Sequence, residues 1–433
     1  MSTGSRNTYF SAWFIPLLYA TAALVLGFTV PRLAYDFLPR YTSTISVNSA
    51  IGIFSSVASG MIALTGIVFS LTFVMVQFSA TAYSPRLVLW IARDPVISHA
   101  IGAFTATFLY SLAALAWVDR NNTGRVPLAG ILMVSFLLIA SVIMFVSLIQ
   151  RVSMLQISRM LIFTGDRGRA VVEDLYPSLE TPGSRASRLP DQPCVQTLRH
   201  YGNPQVVQAI NIPALIEIAC GGDCVIAFVV SVGDAVLDGT PILCVFSRVG
   251  PVPEVNLRTA IKLGDERTFE QDPKYAIRLL VDIAIKALSP AVNDPTTAVQ
   301  ALDQIEDLLI RLGRRRLEIG ALRDTENQLR LLVNFPSWED FLRLAFDEIR
   351  FYGSTSVQVM RRMKALVSDL MRVLPEERRP ALAQWEARLQ ATVDRSFTDH
   401  QDKLDASAED RQGLGTAQQH IGTYNLDATT QST

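Results

Sequence analysis

The sequence predicts a membrane α-helical domain of four transmembrane helices, followed by a cytoplasmic α+β domain with a small β module and a helical C-terminal part. Three observations carry this expectation. Four apolar segments, at about 12–30, 51–82, 97–118 and 127–150, are each long enough to cross a hydrocarbon core of about 30 Å. The first 150 residues hold ten charged side chains, with no Lys and no Glu, whereas the remainder is densely charged. Short β-branched runs between 194 and 250 then give way to amphipathic helical patterns. The expected organisation is 1–150 for the spans, 151–193 for a helical stalk and linker, 194–262 for the β-rich module, 263–395 for a helical domain and 396–433 for a disordered tail.

The first span is full length and lacks a small-residue cleavage site, so it reads as a retained anchor and not as a signal peptide. Four spans leave both termini on one side. Placing them inside puts Arg6, Arg86, Arg93, Arg151, Arg159, Arg167 and Arg169 inside, against Arg32, Arg40, Arg120 and Arg125 outside. That bias makes the C-terminal half cytoplasmic. No Asp, Glu, Lys or Arg lies deep in any span, and His99 sits near the edge of the third. Voltage sensing and carboxylate proton relays need such residues and are disfavoured.

The second span is the unusual one. Residues 51–85 carry no charge and would extend roughly 50 Å as a helix, well beyond a bilayer core. Ser55, Ser59, Gly66, Ser70, Gln77 and Thr81 recur at steps of four and seven, which places them on one helical face. Such a neutral stripe has two uses: small residues at a close helix interface, or the lining of a wet passage. Packing around an oligomer axis would satisfy both, whereas in a strict monomer the stripe would serve intramolecular packing.

Beyond the membrane, residues 151–176 continue a helical pattern that Pro177 stops, and 177–193 read as an exposed linker rich in Pro, Ser and Gly. Strands are expected at 195–200, 205–210, 224–230 and 241–246, with a short helix over 212–220. Two amphipathic helices, about 272–288 and 296–313, flank a loop whose two prolines and Asn-Asp pair make a rigid turn. Asp294 or Thr296 can cap the second helix with Pro295 in its first turn. As a plain hairpin the motif is structural. As a site, Asn293, Asp294, Thr296 and Thr297 would offer a helix N-terminus to a ligand or a neighbouring subunit, with Arg267, Asp272 and Asp282 converging on the same loop.

The net charge of −1 argues against a nucleic-acid role, which needs a basic footprint on the surface. Cys194, Cys220, Cys224 and Cys244 all lie in the second half. In the cytoplasm they are expected to be reduced, with no disulfide framework. Cys220-Gly-Gly-Asp-Cys224, even with Cys194 and His200 nearby in sequence, lacks zinc-knuckle spacing; structural thiols and no metal are expected. Residues 232–243 resemble the turn-strand-turn of lipoyl-like barrel-sandwich domains. No lysine stands between Cys194 and Gly250 to take a prosthetic group, so no cofactor is expected. There is also no phosphate-cradling loop, HExxH or nucleophile elbow, so no enzyme is expected.

The runs SLTFVMVQFSATAYSPRLV (70–88) and IRLLVDIAIKALSPAVNDPTTA (277–298) resemble bacterial predicted membrane proteins grouped as domain-of-unknown-function family 2254. The resemblance spans about 10–395 and implies four N-terminal spans, a cytoplasmic domain and a place in the bacterial inner membrane. It supplies no activity and no catalytic residues. Two roles follow for a protein whose expected partners are the bilayer and other copies of itself. One is a homo-oligomeric channel or transport protein passing an ion or small solute. The other is a membrane-anchored scaffold that binds a cytoplasmic partner.

Overall fold

The structure is a computed structural model that describes residues 14–37, 45–82, 95–118, 126, 128–153, 157–179 and 193–416. The chain divides into two units, 1–156 and 157–433.

The first unit holds α1 (Phe14–Phe37), α2 (Val47–Ala82), α3 (Pro95–Leu115) and α4 (Leu128–Ser153). Each contains a stretch long and apolar enough to cross a membrane. Helix α3 is the hub: 56% of its span is buried, against 17–22% for the others. It owes this to small residues, since Ala100, Gly102, Ala103, Ala106, Ala113 and Ala114 let neighbouring backbones approach. A Cβ on Gly102 would stand 2.9 Å from the Tyr19 ring, and one on Gly27 would stand 2.6 Å from Ala113 Cβ. Polar contacts add specificity inside this core. Thr107 and Ser141 join α3 to α4 through their hydroxyls at 2.8 Å, and Tyr19 meets His99 Nδ1 at 3.2 Å.

The second unit opens with α5 (Ile157–Leu175), within the segment read as a stalk. Its buried face (Met160, Leu161, Thr164, Gly165, Gly168, Val172) packs into the helical body of this unit. A Cβ on Gly168 would lie 2.8 Å from Ala276 and 2.9 Å from Leu308, so glycine permits that approach. There follow β1 (Cys194–Arg199), β2 (Gln205–Ile210), α6 (Ile212–Gly221), β3 (Cys224–Phe228), β4 (Ala235–Val236) and β5 (Pro241–Ser247). Next come α7 (Glu254–Thr259), β6 (Ile261–Gly264), α8 (Pro273–Ala287), α9 (Pro295–Gly313), β7 (Ala321–Arg323) and β8 (Leu329–Leu332). After these come α10 (Trp338–Tyr352), α11 (Val357–Val373), a 3-10 turn (Glu376–Arg378), α12 (Arg379–Ser396) and α13 (His400–Ser407).

Among the described residues two sheets form, one of five strands in the order β1-β5-β3-β8-β7 and one of three in the order β4-β2-β6. The expected strands are present, and the helix expected over 212–220 forms as Ile212–Gly221. The turn-strand-turn at 232–243 is also there: Gly233 (φ +91°) and Gly239 (φ +80°) bracket β4, and the Asp234 carboxylate accepts from Ser231 N at 2.8 Å. Strand β3, between β5 and β8, is buried at every residue.

Two corrections follow. The region 263–395 is not wholly helical, since β7 and β8 lie within it and β8 pairs parallel with β3 through Ile226–Leu331. Those strands are three and four residues long, too short to show alternation. The tail does not lose structure at 396. Asp399 caps α13, Ala406 is buried, and Arg411 grips Asp369 on α11 with two hydrogen bonds of 2.7 and 2.9 Å. A polar composition signals too little apolar burial for independent folding. It is blind to a body that supplies ion-pair and capping partners. The part of the predicted tail beyond 416 lies outside the described residues.

Candidate functional site

Helix α2 has two faces. Phe54, Ala58, Met61 and Val68 are buried against the other spans. Ser55, Ser59, Gly66, Ser70 and Gln77 are all exposed, and among the described residues nothing lies within 4 Å of a Cβ built on Gly66. At about 100° per residue these five positions fill an arc of about 60°, centred about 130° from the packed face. The stripe therefore lies on a different side of α2 from the face that packs against the protomer's own helices. Thr81 is within α2, but its side chain lies outside the described residues. From Ser55 to Gln77 the stripe runs about 33 Å, the depth of a hydrocarbon core.

In the second unit, Asp272 is the N-cap of α8 and is 1% exposed. One carboxylate oxygen accepts from Tyr275 N at 3.2 Å; the other accepts from Arg267 Nε at 2.9 Å and Nη2 at 2.7 Å. Burial pushes the Asp272 carboxyl above its ordinary value, and the Arg267 guanidinium pulls against that. The Arg267 guanidinium also lies over the Tyr275 ring, 5.3 Å from its centre. Nearby, the Tyr176 hydroxyl and Thr268 Oγ1 are buried without a hydrogen-bond partner among the described residues. Burial, reinforced by the charge of Asp272, holds the Tyr176 hydroxyl well above the usual phenol range.

Asp294 caps α9, accepting from Thr297 N at 3.1 Å and from Thr297 Oγ1 at 2.6 Å. Asn293 takes a left-handed conformation (φ +49°) that lets the chain enter the cap, and it stands exposed beside exposed Thr296. Asp282 accepts from Arg278 Nε at 2.8 Å, and the same guanidinium reaches Glu348 at 2.7 Å, which ties α8 to α10. The expected convergence of Arg267, Asp272 and Asp282 on the 289–297 loop does not occur. Helix α8 holds Asp272 at its first turn and the loop after its last, about 22 Å apart along the axis.

A feature that sequence reading missed is an open cleft of about 880 Å³, walled by Leu175, Ile212, Ile261, Lys262, Glu270 and Gln271 among others. Lys262 and Glu270 pair across it at 2.6 Å. Gln271 adopts φ +58° and clamps Ile210, with Oε1 accepting from its N–H at 2.9 Å and Nε2 donating to its carbonyl at 3.1 Å. The sole local signal was a polar run ahead of Pro273, which does not reveal a partner 61 residues away. Among the described residues no three His, Cys, Asp or Glu side chains gather as a metal cage.

Fold and composition together define a multi-pass membrane protein carrying an α+β domain. Its residues 10–369 match the family described as "Predicted membrane protein (DUF2254)", and the chain belongs to that family. It is similar to an uncharacterized protein of Mycobacterium bovis and to one of Mycobacterium tuberculosis. Each is 29% identical over 365 residues, covering 81% of this chain and 70% of the relative. No solved structure matches.

Proposed function

We propose that this is a homo-oligomeric channel or transport protein of a bacterial inner membrane, with both termini cytoplasmic. In this reading α2 faces an oligomer axis and lines a neutral polar pathway. The supporting observation is the outward orientation of Ser55, Ser59, Gly66, Ser70 and Gln77 over the full depth of a bilayer core. Hydroxyl and amide groups on an outer face meet either lipid or another protein. A polar stripe in lipid gains nothing, whereas around an axis it offers water a continuous set of hydrogen-bonding groups. The cytoplasmic domain then regulates the path, and the β module is a structural element that carries no prosthetic group. No catalytic step belongs to this role.

Reconstitution into proteoliposomes tests it. Ion or solute flux that is present in the parent and lost in Ser70→Leu and Gln77→Leu supports a pathway. Flux absent from the parent, or unchanged in both variants, removes it. Native mass spectrometry in detergent gives the oligomer number, and a strict monomer ends this reading.

The 880 Å³ cleft favours a second reading, a membrane-anchored scaffold whose cytoplasmic domain holds a partner. In that case the partner captured by the full chain is lost on Asn293→Ala with Asp294→Ala, or on filling the cleft, while flux is absent throughout.

A further inference from the structure

The cleft of about 880 Å³ lies wholly within the second unit, and its size is that of pockets that take small organic ligands. Its apolar wall comes from Val171 and Leu175 of α5, Ile212 and Pro213 of α6, and Ile261 of β6. Such a wall favours an occupant with an apolar body. The charges around it decide which polar group that body carries.

Two helix ends reach the cleft, and they carry opposite partial charge. At the N-terminal end of α6 the donors are largely spent. Asn211 Oδ1 accepts from Ala214 N at 3.2 Å, the Asn211 carbonyl accepts from Leu215 N at 3.1 Å, and Pro213 has no N–H to offer. Gln271 is committed too, both polar atoms of its side chain being bound to Ile210. An anion finds little here. The C-terminal end of α5 is the reverse. Asp174 stands exposed in its last turn, with no hydrogen bond or ion pair among the described residues. A carboxylate there adds its charge to the negative pole of the helix and attracts a cation. Glu270 is the second carboxylate of the wall. Its partner Lys262 is 2.6 Å away, but the two side chains are 54% and 52% exposed, and a pair so open to water is held weakly.

We propose that the cleft binds a small organic cation with an apolar body, an amine or guanidine, whose charged group is held by the carboxylates of Asp174 and Glu270. The ligand takes the place of the Lys262 ammonium at Glu270, and its apolar part covers Val171, Leu175 and Ile212. Binding is non-covalent. It requires neither a conducting stripe on α2 nor a captured protein partner, so it stands or falls apart from both readings above.

The probe is 4-phenylbutylamine, compared with its neutral and anionic analogues 4-phenylbutanol and 4-phenylbutyrate. Each is titrated into the full-length protein in non-ionic detergent and followed by saturation-transfer NMR, with protein-free micelles as the blank for partitioning. The amine should bind at least about tenfold more tightly than either analogue. Asp174→Asn should weaken the amine about tenfold and leave the alcohol unchanged. Lys262→Met should tighten the amine about threefold by freeing Glu270, a gain that a merely structural role would not produce. Val171→Trp, which fills the cleft from a half-buried position, should abolish binding of the amine. Because Asp174→Asn removes an unpaired carboxylate from a helix C-terminus, its melting temperature should equal or exceed that of the parent, which separates loss of the ligand from loss of fold. Absence of amine binding by the parent, equal affinity for the three probes, or undiminished amine binding by Asp174→Asn overturns the proposal. So does a parent that ignores the amine yet binds a lysine-rich peptide through Asp174, which would make the cleft a protein-docking site.

Discussion

Gly233 and Asp272 approach so closely that a Cβ at position 233 would strike the Asp272 carboxylate and come within 2.9 Å of the Arg267 guanidinium. Gly233 also sits at φ +91°, where a side chain is strained whatever the space. The Gly-Asp turn of the β module is thereby seated on the cap of α8. Gly233→Ala should cost about 2–4 kcal/mol, from backbone strain and a displaced buried ion pair. A fall of several degrees in the melting temperature of the full chain would bear this out, and an unchanged one would not.

Asp272 makes stability depend on pH in a direction opposite to most paired carboxylates. Its carboxyl is raised in the fold, so between the unfolded and folded values the native state binds more protons. Its contribution is therefore fully present below the unfolded value and is lost as pH rises through the folded one. Asp272→Asn keeps a competent N-cap and removes this titration. The melting temperature of the parent minus that of the variant should shrink as pH rises from the acidic side toward neutrality. A difference independent of pH would refute it.

Arg362 on α11 is 3% exposed and holds both Asp303 (2.9 Å) and Glu306 (2.5 Å) of α9. Burial drives the Glu306 carboxyl upward, and Arg362 is the main group opposing it. Arg362→Met leaves Glu306 buried without its counter-charge, at a cost of about 3–5 kcal/mol. Adding Glu306→Gln should recover part of that loss. A double-mutant cycle by chemical denaturation measures the coupling.

Arg411 is 66% exposed in its pairing with Asp369, so its removal should change global stability by less than about 1 kcal/mol. Its effect is local. Arg411→Ala should make residues 408–416 markedly more sensitive to limited proteolysis while the helical body stays protected. Equal cleavage in parent and variant would show that the ion pair does not hold the segment.

Some of this was written in short stretches of sequence. The four spans could be read because hydropathy over about 20 neighbouring residues decides membrane insertion. The hairpin could be read because Asp272 and Asp294 each precede a proline and an apolar period, and each caps the next helix through its own side chain. The β7–β8 hairpin could not, because its short strands depend on Ile226 and Ala227 for their place in a sheet. Nor could the cleft, since Gln271 acquires its left-handed backbone only by serving Ile210.

By itself, then, the sequence determined that this chain enters a membrane, where its helices and principal strands lie, and that α2 carries a periodic polar face. Periodicity marks a face without saying what it meets. Only the tertiary structure decided that Phe54, Ala58, Met61 and Val68 bind the bundle while the stripe turns outward. It likewise brought Thr197 to Cys244 and Gly233 to Asp272, because contacts between distant residues follow from strand register and helix packing, which no local window of residues contains.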